Sequence, residues 1–344
     1  MAVPLPQGAA LFLVLATLLA GCAGTAPVVA PEGPAREVTP VQERAPEEAT
    51  AAREVSYVPQ RSGELQNPAM TEASGMAASR IHDNLFWVLN DGGNGPWIYA
   101  VGSDGSDRGR IEVEGARNRD WEDMASFVWN GRSYLLIADI GDNRAERSSC
   151  LLYIVPEPES PEAGSVPLAR TIEYIYEDGP RDAESLAVDL QGERILILSK
   201  RDHPQRLYQL PLFPDYDGIQ TARRIATIAA LPQPSLADIL INPALGKLGD
   251  VPTAMDIAAD GSAAVVLTYS SVLRFVRSTG MEWAEVFSRP PLEKISHTLV
   301  QAEAAAFGSS GVRIYYTSER QPAPLWMLAP EPSPNPAARP VLRR

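Results

Sequence analysis

One pattern recurs five times along this chain, and few folds can satisfy it. A short segment of small and acidic residues precedes an apolar run, and two or three further apolar runs follow. The segments are "EASGMA" from Glu72, "DWEDMA" from Asp120, "DAESLA" from Asp182, "VPTAMD" from Val251 and "QAEAAA" from Gln301. The second runs are "NLFWVLND", "SYLLIADI", "RILILSKR", "AAVVLTYS" and "VRIYYTSE". The third are "PWIYAV", "CLLYIV", "QRLYQL", "SVLRFV" and "APLWML". A fourth run follows as "GRIEVEG", "RTIEYIYE", "ARRIATIAAL" and "EWAEVFS". The fifth unit lacks one, and "EVSYVPQ" (54–60) can supply it from the N-terminal side.

Short apolar runs punctuated by Gly, Asp, Asn and Pro, with little helical periodicity, read as all-β. Four-stranded units repeating near every 50 residues read as a β-propeller. The expected fold is five four-stranded blades closed by an N-terminal strand. Ser74, Glu122, Glu184, Thr253 and Glu303 are spaced by 48, 62, 69 and 50 residues. The long gaps read as loops, "PEPESPEAG" and "PQPSLADILINPALGKLGD". A sixth, degenerate blade in the second gap is the alternative.

The domain boundaries follow from composition. Residues 1–22 carry an apolar stretch, "ALFLVLATLLAGC", that reads as a secretory signal. Its end resembles the lipobox of bacterial lipoproteins. That resemblance implies lipidation of Cys22 and attachment to the cell envelope, at the outer membrane facing the periplasm. Residues 23–53, rich in Ala, Pro and Glu, read as a disordered tether. The propeller is expected over 54–330, and 331–344 form a second polar tail. The formal net charge of −13 and the lack of a basic stripe exclude a nucleic-acid partner. Cys150, the other cysteine, reads as a strand residue. The three histidines, His82, His203 and His297, are scattered and read as loop residues.

Aligned on their strands, the five units put Ser74, Glu122, Glu184, Thr253 and Glu303 in one column. In a propeller, first strands line the central channel, so the column converges on one axis. Three carboxylates gathered there must protonate, meet cations or hold a metal. An all-oxygen set suits Ca²⁺ rather than zinc or copper. The acids two residues earlier, Glu72, Asp120 and Asp182, form an upper layer. Antiparallel pairing returns the loops after each second strand to the same face. This brings in Asp91, Arg144, Lys200 and Arg201 as the candidates for contact with a substrate.

A five-bladed propeller with a Ser-Glu-Glu-Thr-Glu column resembles the calcium-activated nucleotidase (apyrase) family; envelope propellers grouped as esterase-like or phytase-like look similar. The resemblance implies calcium ligation by the five column residues and, further, hydrolysis of nucleoside phosphates. Three functions are therefore expected to compete. The first is a monomeric, lipid-anchored scaffold, plugged by calcium, that binds a glycan, peptide or envelope protein. The second is a calcium-dependent hydrolase of phosphate or ester bonds. The third is a sugar-lactone hydrolase. An enzyme would need a base and an open metal position at the mouth.

Overall fold

In a computed structural model, the structure describes residues 56–331, apart from 229–230, 232–234, 242, 244 and 246–249. The expected signal, tether and tail, with Cys22, lie outside the described residues. The described residues form a β-propeller.

The chain enters through β1 (Tyr57–Glu64) and then builds four-stranded antiparallel units. The first is β2 (Ala73–Ala78), β3 (Leu85–Asn90), β4 (Trp97–Gly102) and β5 (Asp107–Glu114). The second holds β6 (Trp121–Trp129), β7 (Arg132–Asp139) and β8 (Cys150–Pro156). The chain then makes β9 (Ala163–Pro167) and returns as the fourth strand, β10 (Arg170–Tyr176). The third is β11 (Ala183–Asp189), β12 (Arg194–Ser199), β13 (Gln205–Pro211) and β14 (Gln220–Ile228). A short helix, α1 (Leu236–Ile241), lies in the long gap before the fourth unit. That unit is β15 (Pro252–Ile257), β16 (Ala263–Thr268), β17 (Ser271–Val276) and β18 (Glu293–Ser296). The fifth is β19 (Ala302–Phe307), β20 (Ile314–Ser318) and β21 (Pro324–Pro330), completed by β1. β1 pairs antiparallel with β21 from Tyr57↔Pro330 to Glu64↔Pro324, the ring closure expected of the N-terminal segment.

The innermost strands β2, β6, β11, β15 and β19 pack side by side in a closed ring. They crowd one axis, which explains why they read as Ala, Gly, Ser and Met and are almost wholly buried. Gly75 marks a close approach of two inner strands: a Cβ there would lie 2.7 Å from the Asp123 Cα. Outer strands are half exposed and alternate, as in β5 and β10.

Large side chains fill the wedges between units. Each third strand sends its aromatic residue into a different wedge: Tyr99, Tyr153, Tyr208, Phe275 and Trp326. Burying one such ring stabilises the fold by about 1.5–3 kcal/mol.

Two expectations are corrected. "EWAEVFS" is not a strand but contains a helix, α2 (Trp283–Phe287). Trp283, Val286 and Phe287, spaced i, i+3, i+4, share one buried face, and Pro290–Pro291 follow. The fourth strand of that unit is β18 instead. The "PEPESPEAG" segment is more than a loop: it leads into β9, which pairs in parallel with β5 and adds a fifth strand to the first unit's sheet. His297 lies in the loop after β18, as expected, and is half-buried there. Its Nε2 lies 3.0 Å from the Thr268 carbonyl oxygen, its ring is tilted against Tyr316, and burial lowers its pKa to about 4.

Candidate metal centre

The column of five residues has a common structural origin. In every unit the pairing of first and second strands slips by one residue at the same place. The slips lie between Ala73 and Gly75, Trp121 and Asp123, Ala183 and Ser185, Pro252 and Ala254, and Ala302 and Ala304. The extra residues are Ser74, Glu122, Glu184, Thr253 and Glu303. A β-bulge leaves one residue unpaired and re-aims its side chain. Five bulges at one level collect five such side chains at the end of the channel.

The five do not behave alike. The Ser74 hydroxyl donates to the Trp121 carbonyl at 2.9 Å, and the Thr253 hydroxyl to the Ala302 carbonyl at 2.7 Å. Each hydroxyl therefore bonds the next unit's inner strand. Glu184 accepts from the Lys200 ammonium. Among the described residues, no hydrogen bond or ion pair reaches the Glu122 carboxylate, although the residue is only 5% exposed. Burial first, then the charges of Glu184 and Asp91, push its pKa well above the usual carboxylate range. Burial and Glu184 do the same to Glu303, which Lys200 and a Tyr269 hydrogen bond partly offset.

A second tier comes from the residue after each second strand: Asp91, Ile140, Lys200, Tyr269 and Glu319. The pairings Ala73↔Asn90, Trp121↔Asp139, Ala183↔Ser199, Pro252↔Thr268 and Ala302↔Ser318 bring these beside the bulges. Burial works against the Lys200 charge, but Glu184 and Glu303 outweigh it and hold the ammonium above the ordinary lysine range. Its Nζ lies 5.2 Å from the Tyr269 ring centroid.

Ligand atoms of Asp91, Asp120 and Glu122 lie within 4.8 Å of one another, a grouping able to hold a metal ion. Burial, with Asp91 beside it, raises Asp120 to about 6. Burial also raises Asp91, against a hydrogen bond from the Gly92 N–H. The loop after β7 presses on this cluster: a Cβ at Gly141 would come within 2.5 Å of the Asp120 carboxylate. A larger residue there would push the Asp120 and Glu122 carboxylates aside.

The other candidates are placed as follows. Arg201 donates to Asp182 at 2.6 Å and to Asn143, so its charge is already engaged. Asp182 also accepts from the Asp142 N–H at 2.9 Å. Glu72 accepts from Asn94 at 2.8 Å. Arg144 is exposed, and its side chain bonds no member of the cluster. The buried arginine of that loop is Arg147, which the sequence reading missed. It pairs with Asp139 at 2.8 Å and donates to the Gly141 carbonyl at 3.0 Å, fixing the loop over the cluster.

No protein-family model matches this chain, and no curated protein matches it in sequence. Solved structures resemble it in shape at low identity. A luciferin-regenerating enzyme shares 8% identity over 80% of this chain and 96% of its own, with a TM-score of 0.42. A gluconolactonase, XC5397 from Xanthomonas campestris, shares 13% over 80% and 89%, at 0.41. A chain of a nidogen/laminin complex shares 12% over 74% of each, at 0.40.

Deeper in the channel, Asp123 stitches inner strands together with hydrogen bonds. Its carboxylate accepts from the N–H groups of Met124 (2.8 Å), Leu186 (2.8 Å) and Met255 (3.0 Å), joining β6, β11 and β15. Asp256 does likewise lower down, accepting from Ile257 at 2.8 Å and Phe307 at 2.9 Å.

Proposed function

We propose that this protein is a lipid-anchored propeller of the cell envelope, attached through Cys22, and a calcium-dependent hydrolase of ester or phosphate bonds. Its metal is held off the axis by Asp91, Asp120 and Glu122. The observation that carries this reading is the buried Glu122 carboxylate, which among the described residues has no hydrogen bond or ion pair, although the Lys200 charge reaches it, and which lies with two further carboxylates. A hard, all-oxygen donor set fits calcium. The resemblance to calcium-activated nucleotidases agrees in the metal.

Three carboxylates do not complete the six to eight positions calcium takes, so room remains for water and substrate. An axial structural plug would instead draw on Glu184, which already holds the Lys200 ammonium. This favours the hydrolase over the scaffold. Bound calcium would supply a Lewis acid for the scissile carbonyl or phosphoryl oxygen. Asp91, Asp120 and Glu122 would orient it. Asp120 is raised to about 6 in the metal-free site; bound to calcium it would be ionised and would hold the metal rather than titrate. Arg147 holds the Gly141 loop that closes one side.

The test uses the full-length protein. Metal content after dialysis, thermal unfolding in EGTA and in millimolar calcium, and hydrolysis of nitrophenyl esters, a sugar lactone and nucleoside phosphates are measured. Calcium should raise the unfolding midpoint, and EGTA should abolish hydrolysis. Glu122→Gln should lose most of the calcium-induced gain. An unmoved midpoint together with metal-free protein would sink the proposal.

A further inference from the structure

The bulge ring holds three glutamates, yet its axial position is already served by a cation from the chain itself. Lys200 is 5% exposed and its ammonium is bonded to Glu184. It stands against the Tyr269 ring at 5.2 Å, and Glu303 lies close enough to raise its basicity. In the four other units the equivalent position is Asp91, Ile140, Tyr269 or Glu319, so this tier contains one basic residue. It follows a bulged hairpin whose register, Ala183↔Ser199, sets Lys200 beside Glu184.

We infer that Lys200 is the resident cation of the axial ring and keeps divalent ions off the axis, so that a metal is confined to the Asp91–Asp120–Glu122 side of the mouth. The ammonium occupies the Glu184 Oε2 and offsets that carboxylate's charge, which weakens it as a ligand for a metal on the axis. A divalent ion placed a few ångströms from it would be repelled in this poorly solvated channel. The ring is thus a cation site with a covalently tethered occupant. Lys200 decides where and how many metal ions bind. The off-axis half of this statement rests on the proposed calcium site; the axial half does not.

The experiment counts calcium per chain by equilibrium dialysis of full-length proteins, with thermal unfolding as a second readout. The variant Asp91→Asn/Asp120→Asn removes the off-axis carboxylates and leaves the ring and Lys200 intact. It should bind no calcium, against one ion in wild type. Lys200→Met should bind one ion more than wild type and gain a larger calcium-induced rise in midpoint; Lys200→Arg should match wild type. If the double variant still binds an ion, or Lys200→Met binds no more than wild type, the inference is overturned. If Lys200→Met does not fold even in calcium, the double variant alone decides. If wild type binds no calcium, the proposed function fails, and a single ion gained by Lys200→Met still supports the axial assignment.

Discussion

Asp123 is the residue on which the channel most depends. Its carboxylate accepts from three strands of three different units and is fully buried. Asp123→Ala should leave three N–H groups without a partner, each costing about 1–3 kcal/mol. A loss of about 3 kcal/mol or more is expected in urea unfolding; a change below about 1 kcal/mol would contradict the stitching role. Asp256 carries a pH signature. Burial raises its pKa from 3.8 to about 6, while Arg80 and two N–H groups pull the other way. A carboxyl raised by folding binds more protons in the native state. Its contribution to stability is therefore full below pH 3.8 and falls as pH rises through about 6. The stability of wild type relative to Asp256→Asn should drop across that window, by up to about 1.4 kcal/mol per pH unit. A constant difference from pH 4 to 7 would refute it. At this scale the sequence was half informative. The repeated column was readable because five units print it five times. The roles of Asp123, Asp256 and Lys200 were not, because each depends on a contact with another unit that occurs once.

At the scale of the strand, the legible signal was alternation and the illegible one was local competition with it. β1 was readable as the closing strand only because the fifth unit lacked a fourth. It is mostly exposed, so its backbone ladder to β21, from Tyr57↔Pro330 to Glu64↔Pro324, holds it rather than apolar burial. Deleting residues 57–64 should bare the edge of β21 and invite edge-to-edge association. The expected outcome is a midpoint lowered by about 10 °C or more, with concentration-dependent aggregation in light scattering. An unchanged midpoint would show that closure does not need this strand. α2 deceived the reading because "EWAEVFS" offers apolar residues at both spacings, and its helical face wins by packing Trp283 and Phe287 beside Phe275. β9 was hidden because Val166 is the one large apolar residue of "AGSVP" and Pro and Glu dominate the segment before it; its parallel pairing with β5 adds a Ser165–Glu114 hydrogen bond and buries Val166.

For the molecule as a whole, the distinctive quantity is the proton content of its mouth. Asp91, Asp120, Glu122 and Glu303 are all raised by burial and by neighbouring carboxylates, Asp120 to about 6. A divalent ion bound by the first three must displace the protons they hold, because only ionised carboxylates ligate. Calcium affinity should therefore rise with pH, and binding should release protons below neutral pH. Calorimetric titration of the full-length protein with calcium, in two buffers of different ionisation heat, measures this directly. At pH 5.5 the apparent enthalpies should differ between buffers, and the affinity should be at least about tenfold weaker than at pH 7.5, the effect of about one displaced proton over part of that range. Glu122→Gln should release fewer protons at each pH, since one of the raised carboxyls is gone. Equal affinities at the two pH values, with no buffer dependence, would mean that the cluster is already ionised before the metal arrives. The burial and mutual repulsion that set the mouth apart from an ordinary acidic surface would then not govern its chemistry.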